Sequence, residues 1–288
     1  MLAALADAVG IDVRRGVSFA TPASEGDATG PLRLDLYRPG GDADSNASPQ
    51  RAAVVLLAGD RWRAVERGEL APYALDLAER GYVCVVPEYR GSDAAAFPAQ
   101  LQDVIAAIRW VQAASDAIDV DPDRIGAFGH DAGAHLAVLA ALTTEADAAG
   151  GDQGRSRPAP ATDALAAVVG VGGTYALEHE PERPDLNAFL GGDRESKPDV
   201  WNRASPSTYL DERGRGGALG DAPPILLLHG EDDDVAPAMA SELFHDLLEE
   251  RDLPAECVVA SGAGHDVHET HREFTFGWAE GFFDRHLR

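Results

Sequence analysis

Arg124-Ile-Gly-Ala-Phe-Gly-His-Asp-Ala-Gly-Ala-His-Leu-Ala137 is the stretch that decides the fold. Its first part, Arg124–Phe128, reads as a buried strand, and from Ala132 to about Thr143 the chain reads as a helix. Only Gly129-His130-Asp131-Ala132-Gly133 separates the two, so a strand turns straight into a helix. Such a turn is so tight that a Cβ at either glycine would meet the neighbouring strand or helix. The residue between them, Asp131, is forced into a strained conformation. Its side chain then projects over the sheet beside a helix N-terminus, whose amides favour negative charge.

Working outward, the same rhythm repeats in both directions. Upstream, Arg14–Ala20, Leu32–Tyr37 and Ala52–Ala58 are strand candidates, the last a continuous apolar run suited to burial on both faces. A helix over about Glu66–Arg80 leads to a strand at Tyr82–Pro87, and apolar residues recur at helical spacing from Leu101 to Val111. Downstream come Leu165–Val171, Pro224–Leu228, a helix over Pro237–Arg251, Ala255–Ala260 and a last helix from about Thr270. The polar stretch Glu145–Thr162 reads as a surface loop, and residues 174–220, rich in Pro, Gly and charge, as a small lid insertion. Alternating β and α over most of the chain predicts one α/β domain spanning residues 1–288. Its sheet is mostly parallel with an antiparallel start, flanked by helices.

Composition limits the partners. The 288 residues carry 24 Lys+Arg against 49 Asp+Glu, a formal net charge of -25. Phosphate binding needs clustered cations, so nucleic acid and anionic membrane are not expected partners. Lys197 is the only lysine and 30 of the acids are aspartate, a pattern that suits a halophilic protein kept in solution by a charged surface. The chain opens without a basic segment, and no stretch approaches the about 18 apolar residues of a membrane span, so a cytoplasmic location is expected. Cys84 and Cys257 lie in apolar strand-like runs and read as buried thiols.

Two further motifs sit after strands. His229-Gly-Glu-Asp-Asp-Asp234 follows the next-to-last strand, and Gly262-Ala-Gly-His265 follows the last. Gly129–Gly133 has the layout of a nucleophile elbow, G-x-S-x-G, with Asp131 in the serine's place. The order elbow, acid, histidine places each group on the loop after a different strand, at the carboxyl edge where sites form in such sheets.

On these residues the chain resembles an α/β-hydrolase, of the esterase and kynurenine-formamidase-like branch related to hormone-sensitive lipases. The resemblance runs over roughly Leu32–Leu287. It includes Gly81-Tyr-Val-Cys-Val-Val-Pro-Glu-Tyr-Arg90, Phe97-Pro-Ala-Gln-Leu-Gln-Asp-Val104, Asp121-Pro-Asp-Arg-Ile-Gly126, Gly133-Ala-His-Leu-Ala137, Ala204-Ser-Pro206 and Pro223-Pro-Ile-Leu-Leu-Leu-His-Gly230. It implies an eight-stranded sheet and a catalytic triad whose histidine is His265. The acid would be Asp233, four residues after His229 and four before Pro237. It also implies an oxyanion and substrate-binding loop at Gly59, Asp60, Arg61 and Trp62, completed by Ala132 after the elbow. The chain departs from the family twice. Asp131 replaces the nucleophilic serine, and Ala58-Gly-Asp-Arg-Trp62 replaces His-Gly-Gly-Gly-Trp, whose glycines let a substrate approach the main chain.

An aspartate there supports three readings. It can displace a leaving group from sp3 carbon, giving an alkyl-enzyme ester that His265-activated water hydrolyses, as haloalkane dehalogenases and epoxide hydrolases do. It can act as a general base on an ester, with His265 retained. Or the chain is a retired hydrolase that binds a small ligand, with Asp131 paired to Arg61. Arg61 or Arg63 could hold a carboxylated substrate, and Tyr175 or Tyr209 could activate an epoxide oxygen, although Tyr209 reads better as a packing residue. His135 reads as a packed, hydrogen-bonded histidine and His130 as lining the turn. His268 and His271 read as surface residues. The implied partner is a small-molecule substrate or ligand, with a homodimer as a candidate assembly. No cofactor is expected, nor a metal, because Asp60, Asp131, Asp233 and His265 lack a metal-ligand spacing.

Overall fold

The computed structural model describes residues 10–22, 30–40, 50–63, 65–143, 165–213 and 222–288. The Glu145–Thr162 loop and the end of the 174–220 insertion lie outside them. Eight strands form one sheet: β1 (Ile11–Ala20), β2 (Leu32–Pro39), β3 (Arg51–Leu57), β4 (Val83–Pro87), β5 (Val120–His130), β6 (Leu165–Val171), β7 (Ile225–Gly230) and β8 (Ala255–Ala260). Their spatial order is β1-β2-β4-β3-β5-β6-β7-β8. β2 pairs antiparallel with both β1 and β4, and every later pairing is parallel. The carboxyl ends of β3, β5, β7 and β8 therefore share one edge.

The helices are α1 (Ala71–Glu79), α2 (Ala99–Ala113), α3 (Ser115–Ile118), α4 (Ala132–Leu142), α5 (Pro184–Leu190), α6 (Pro198–Arg203), α7 (Pro206–Arg213), α8 (Met239–Glu249), α9 (Val267–Thr270) and α10 (Arg272–Leu287). The continuous apolar runs make sense because both sheet faces are covered. Along β3, Ala53, Val55 and Leu57 join the core under α2, α4 and α8. Ala52, Val54 and Leu56 point the other way, into the core under α1 and α10. The described part of the insertion, residues 174–213, folds as short helices that begin at Pro184, Pro198 and Pro206, a residue whose fixed φ suits a first helical turn. Its Phe189 and Trp201 are fully buried, so it is anchored in the core rather than laid over it. No described helix is long and apolar enough to cross a membrane.

Candidate active site

Asp131 sits at the helix N-cap with φ 51° and ψ -118°, the strained backbone expected of the elbow. A Cβ on Gly129 would collide with the main chain of Gly133, and one on Gly133 with the carbonyl of Leu57. Both glycines are thus demanded by close approach of backbone to backbone. The crowding brings the β3 loop against the elbow, and Tyr89 braces that loop by donating its hydroxyl to the carbonyl of Ala58 (2.7 Å).

Three side chains from three loops meet here. His265 Nδ1 donates to Asp233 Oδ2 (2.8 Å), which leaves Nε2 as the free base. Nε2 faces Asp131 Oδ1 at 3.8 Å, within ion-pair range and too long for a hydrogen bond. The Asp131 and His265 side chains are 12% and 14% exposed, enough to be reached from solvent. Asp233 is tied down more firmly. Its Oδ1 accepts the amides of Val235 and Ala236 (both 2.9 Å), and His229 Nε2 lies 3.1 Å from Oδ2.

These contacts set the charges. Burial alone would raise the Asp233 pKa, but hydrogen bonds from His229, His265 and the Ala236 amide hold it well below the usual carboxylate range. Burial would likewise push His265 toward neutral. Its bond to Asp233 and the charges of Asp131, Asp233 and Asp266 outweigh that, so its pKa is raised.

The β3 loop is where the structure departs most from expectation. Asp131 does pair with Arg61, but through the main chain: the Arg61 amide donates to Asp131 Oδ2 (2.7 Å). Arg61 and Trp62 have φ of 48° and 57°, a left-handed turn that aims the amide inward and leaves the Arg61 side chain exposed. The guanidinium has no ion pair with a described residue, whereas Arg63 bonds Asp60 (2.7 Å). Trp62 does not reach the cavity. It is buried, stacked on Phe189 (4.8 Å between centroids), and its indole N–H donates to His135 Nδ1 (3.1 Å). His135 in turn donates Nε2–H to the carbonyl of Ala204 (2.7 Å), the packed histidine that the sequence suggests, with burial pushing its pKa down to about 4.

A cavity of about 500 Å³ opens over these groups, lined by Gly59, Asp60, Arg61, Arg63, His130, Asp131 and, from the later loops, Asp234, Val235, His265 and Asp266. Ala132 is buried at the start of α4, its amide beside Gly59. Tyr175 is buried and stacked on Phe244, and Tyr209 donates its hydroxyl to Arg203, so neither serves the cavity. No described residue of the insertion lines it.

His268, expected at the surface, is buried, because α9 folds under the elbow and sets its ring against that of His130, 3.7 Å between centroids with a tilt of 31°. The other cavity residues, Asp234, Val235 and Asp266, are chain neighbours of Asp233 and His265. That adjacency was the only signal the sequence offered for them.

The BD-FAE family profile matches residues 34–248. The chain belongs to the BD-FAE family. Among its relatives are the esterase LipQ of Mycobacterium tuberculosis, 33% identical over 231 residues, and an isoprenylcysteine alpha-carbonyl methylesterase of Arabidopsis thaliana, 28% identical over 237 residues. These alignments cover 78% and 81% of this BD-FAE chain but 51% and 53% of the relatives, so it spans about half their length. Among solved structures, a truncated carbohydrate esterase from gut microbiota superposes with a TM-score of 0.75 at 24% identity, covering 95% of both chains. At that identity the likeness speaks for the fold, which is that of α/β-hydrolase esterases.

Proposed function

We propose that this BD-FAE chain is a hydrolase for small molecules in which Asp131 is the nucleophile, His265 activates water and Asp233 orients His265. The observation that carries this reading is the division of labour between the two oxygens of Asp131. Oδ2 accepts the Arg61 amide, the position an ester's developing oxyanion would need, while Oδ1 makes no hydrogen bond to a described residue and faces His265. An ester entering the site meets an amide already engaged. A substrate with a leaving group on sp3 carbon does not need that amide in the first step.

The steps balance as follows. Oδ1 attacks carbon and expels the leaving group with its electron pair, forming an alkyl ester of Asp131. His265 Nε2 takes a proton from water, and the hydroxide attacks Cγ. The negative charge of the tetrahedral intermediate falls on Oδ2, where the Arg61 amide stabilises it. Collapse expels the alkoxide, which takes the proton held by His265 and leaves as the alcohol. The acid left at Asp131 gives the second proton of the water to solvent, restoring the carboxylate. Arg61, exposed on the cavity wall without a described ion partner, suits a substrate that carries a carboxylate, such as a haloacid. An epoxide fits less well, since Tyr175 and Tyr209 are engaged elsewhere.

The esterase names of the relatives favour a second reading, with Asp131 as general base toward an ester. One experiment separates the two: a single turnover in H₂¹⁸O, followed by mass spectrometry of the peptide that contains Asp131. The nucleophile reading expects label in Asp131 and loss of at least about 10³-fold in turnover for Asp131→Asn. Ester turnover with label only in the product would establish the base reading. No turnover of esters, haloacids or epoxides by the wild type would leave a ligand-binding paralogue.

A further inference from the structure

Beneath the triad, three polar side chains converge without satisfying one another. His130 Nδ1 lies 3.5 Å from Glu69 Oε1, and His268 Nε2 lies 4.0 Å from the same oxygen. One donor atom from each of the three residues falls within 4.8 Å of the others. His130 and His268 are only 4% and 3% exposed. Yet Glu69 Oε1, His130 Nδ1 and both ring nitrogens of His268 have no hydrogen-bond partner among the described residues. Leaving a buried polar atom unpaired costs about 1–3 kcal/mol.

The tautomer sharpens the point. His130 Nε2 lies 3.3 Å from the carbonyl of His265, which only accepts, so that nitrogen carries the hydrogen. Nδ1 then presents a lone pair toward a carboxylate. A proton placed between them would serve one pair of atoms and leave His268 unsatisfied. A cation serves all three.

We propose that Glu69, His130 and His268 bind a divalent transition-metal ion. Two imidazoles and a carboxylate match the donor preference of Zn²⁺, with a fourth position for water. Donors around a tetrahedral Zn²⁺ stand about 3.3–3.5 Å apart, given bonds of about 2.0–2.2 Å. The 3.5 and 4.0 Å spacings are close to this. Chelation requires the two rings to open beyond their present 31° tilt. The outer contact of His130 is that of a metal-bound histidine, whereas His268 Nδ1 has no such partner among the described residues and its segment is held through the main chain. His130 donates its other N–H to a backbone carbonyl, and Tyr73 donates to the carbonyl of His268 (2.7 Å), fixing α9 against α1. The ion would join the turn before α1, the elbow and α9, and through His130 it would hold the His265 loop in register. The role is positioning. It does not depend on how Asp131 acts, and it differs from the metal set of Asp60, Asp131, Asp233 and His265 considered from the sequence.

The test uses the full chain, stripped with a chelator and titrated with Zn²⁺ and with Co²⁺ as a coloured substitute, in thermal unfolding and visible absorption. One equivalent of Zn²⁺ is expected to bind and to raise Tm by about 5 °C at a hundredfold excess over Kd. Co²⁺ should give the intense visible band of a four-coordinate site. Glu69→Gln, at a partly exposed position, and His268→Gln should lose both effects, while Asp131→Asn keeps them, as does His245→Gln, which alters a separate group of His245, Asp246 and Glu249 on α8. Mg²⁺ should not substitute, since it prefers all-oxygen octahedral sites. A wild type that binds no Zn²⁺ would overturn the proposal. So would binding that survives both Glu69→Gln and His268→Gln, or that disappears in Asp131→Asn while Glu69→Gln retains it.

Discussion

At the scale of single residues the site turns on one imidazole between carboxylates. His265 is pulled toward its charged form by Asp233 and by the charges of Asp131 and Asp266. Activating water requires neutral Nε2, so turnover should rise with pH through a midpoint above the ordinary histidine value of about 6.5. The stability linkage has the opposite sign. A raised histidine pKa stabilises the fold fully below about pH 6.5, and that contribution is lost as pH rises through the folded pKa. Activity therefore gains over the window in which this term of stability declines. Titration of the His265 ring by NMR gives the midpoint directly. It should lie above 6.5 in the wild type and fall in Asp233→Asn, which loses both a hydrogen bond and a charge. A wild-type midpoint at or below that value would remove the electrostatic coupling on which this account of the triad depends.

At the scale of elements, the β3 loop, α4 and two parts of the insertion are bolted together behind the site. Trp62 from the β3 loop donates to His135 on α4, His135 donates to Ala204 after α6, and Phe189 on α5 stacks on Trp62. Trp62→Phe preserves the stacking face but leaves buried His135 Nδ1 without a donor, at a cost of about 1–3 kcal/mol. Chemical denaturation should show a lower midpoint with an unchanged m-value. No loss of stability would mean that the Trp62–His135 hydrogen bond contributes nothing. This linkage also marks the limit of what sequence can say. The strands were readable because burial on both faces writes continuous apolar runs, as in Ala52–Ala58 and Leu165–Val171. The elbow glycines were readable because tight backbone approach admits no other residue. The start of α1 was not: Glu66–Leu70 forms turns, and Pro72 marks the true first turn. The helices of the insertion were hidden by their length, too short to show a period. Trp62 and His268 were misplaced for the same reason, since loop residues carry no periodicity to report which way they face. Only the folded β3 loop and α9 turn them inward.

At the scale of the whole molecule, 49 acidic against 24 basic side chains leave a net charge of -25, spread over a surface of 12776 Å². Local pairs such as Arg63–Asp60 and Arg285–Glu256 are exposed and offset little of it. Unfolding moves like charges apart, so their repulsion works against the native state whenever it is unscreened. The Debye length falls from about 10 Å at about 0.1 M salt to about 3 Å at about 1 M, shorter than most distances between surface carboxylates. Raising KCl over that interval should therefore raise Tm, with most of the gain at the low end, where screening changes fastest. A neutral osmolyte at matched osmolality separates charge screening from general exclusion at the surface, because it stabilises without altering repulsion. Glu249→Gln provides an internal control. It removes one exposed charge beside Asp246 on α8, so it should raise Tm in low salt and have little effect in about 1 M KCl. If Tm instead rises equally in KCl and in the osmolyte, and Glu249→Gln is silent throughout, repulsion is not what limits this fold. The acidic surface would then act through hydration and solubility alone.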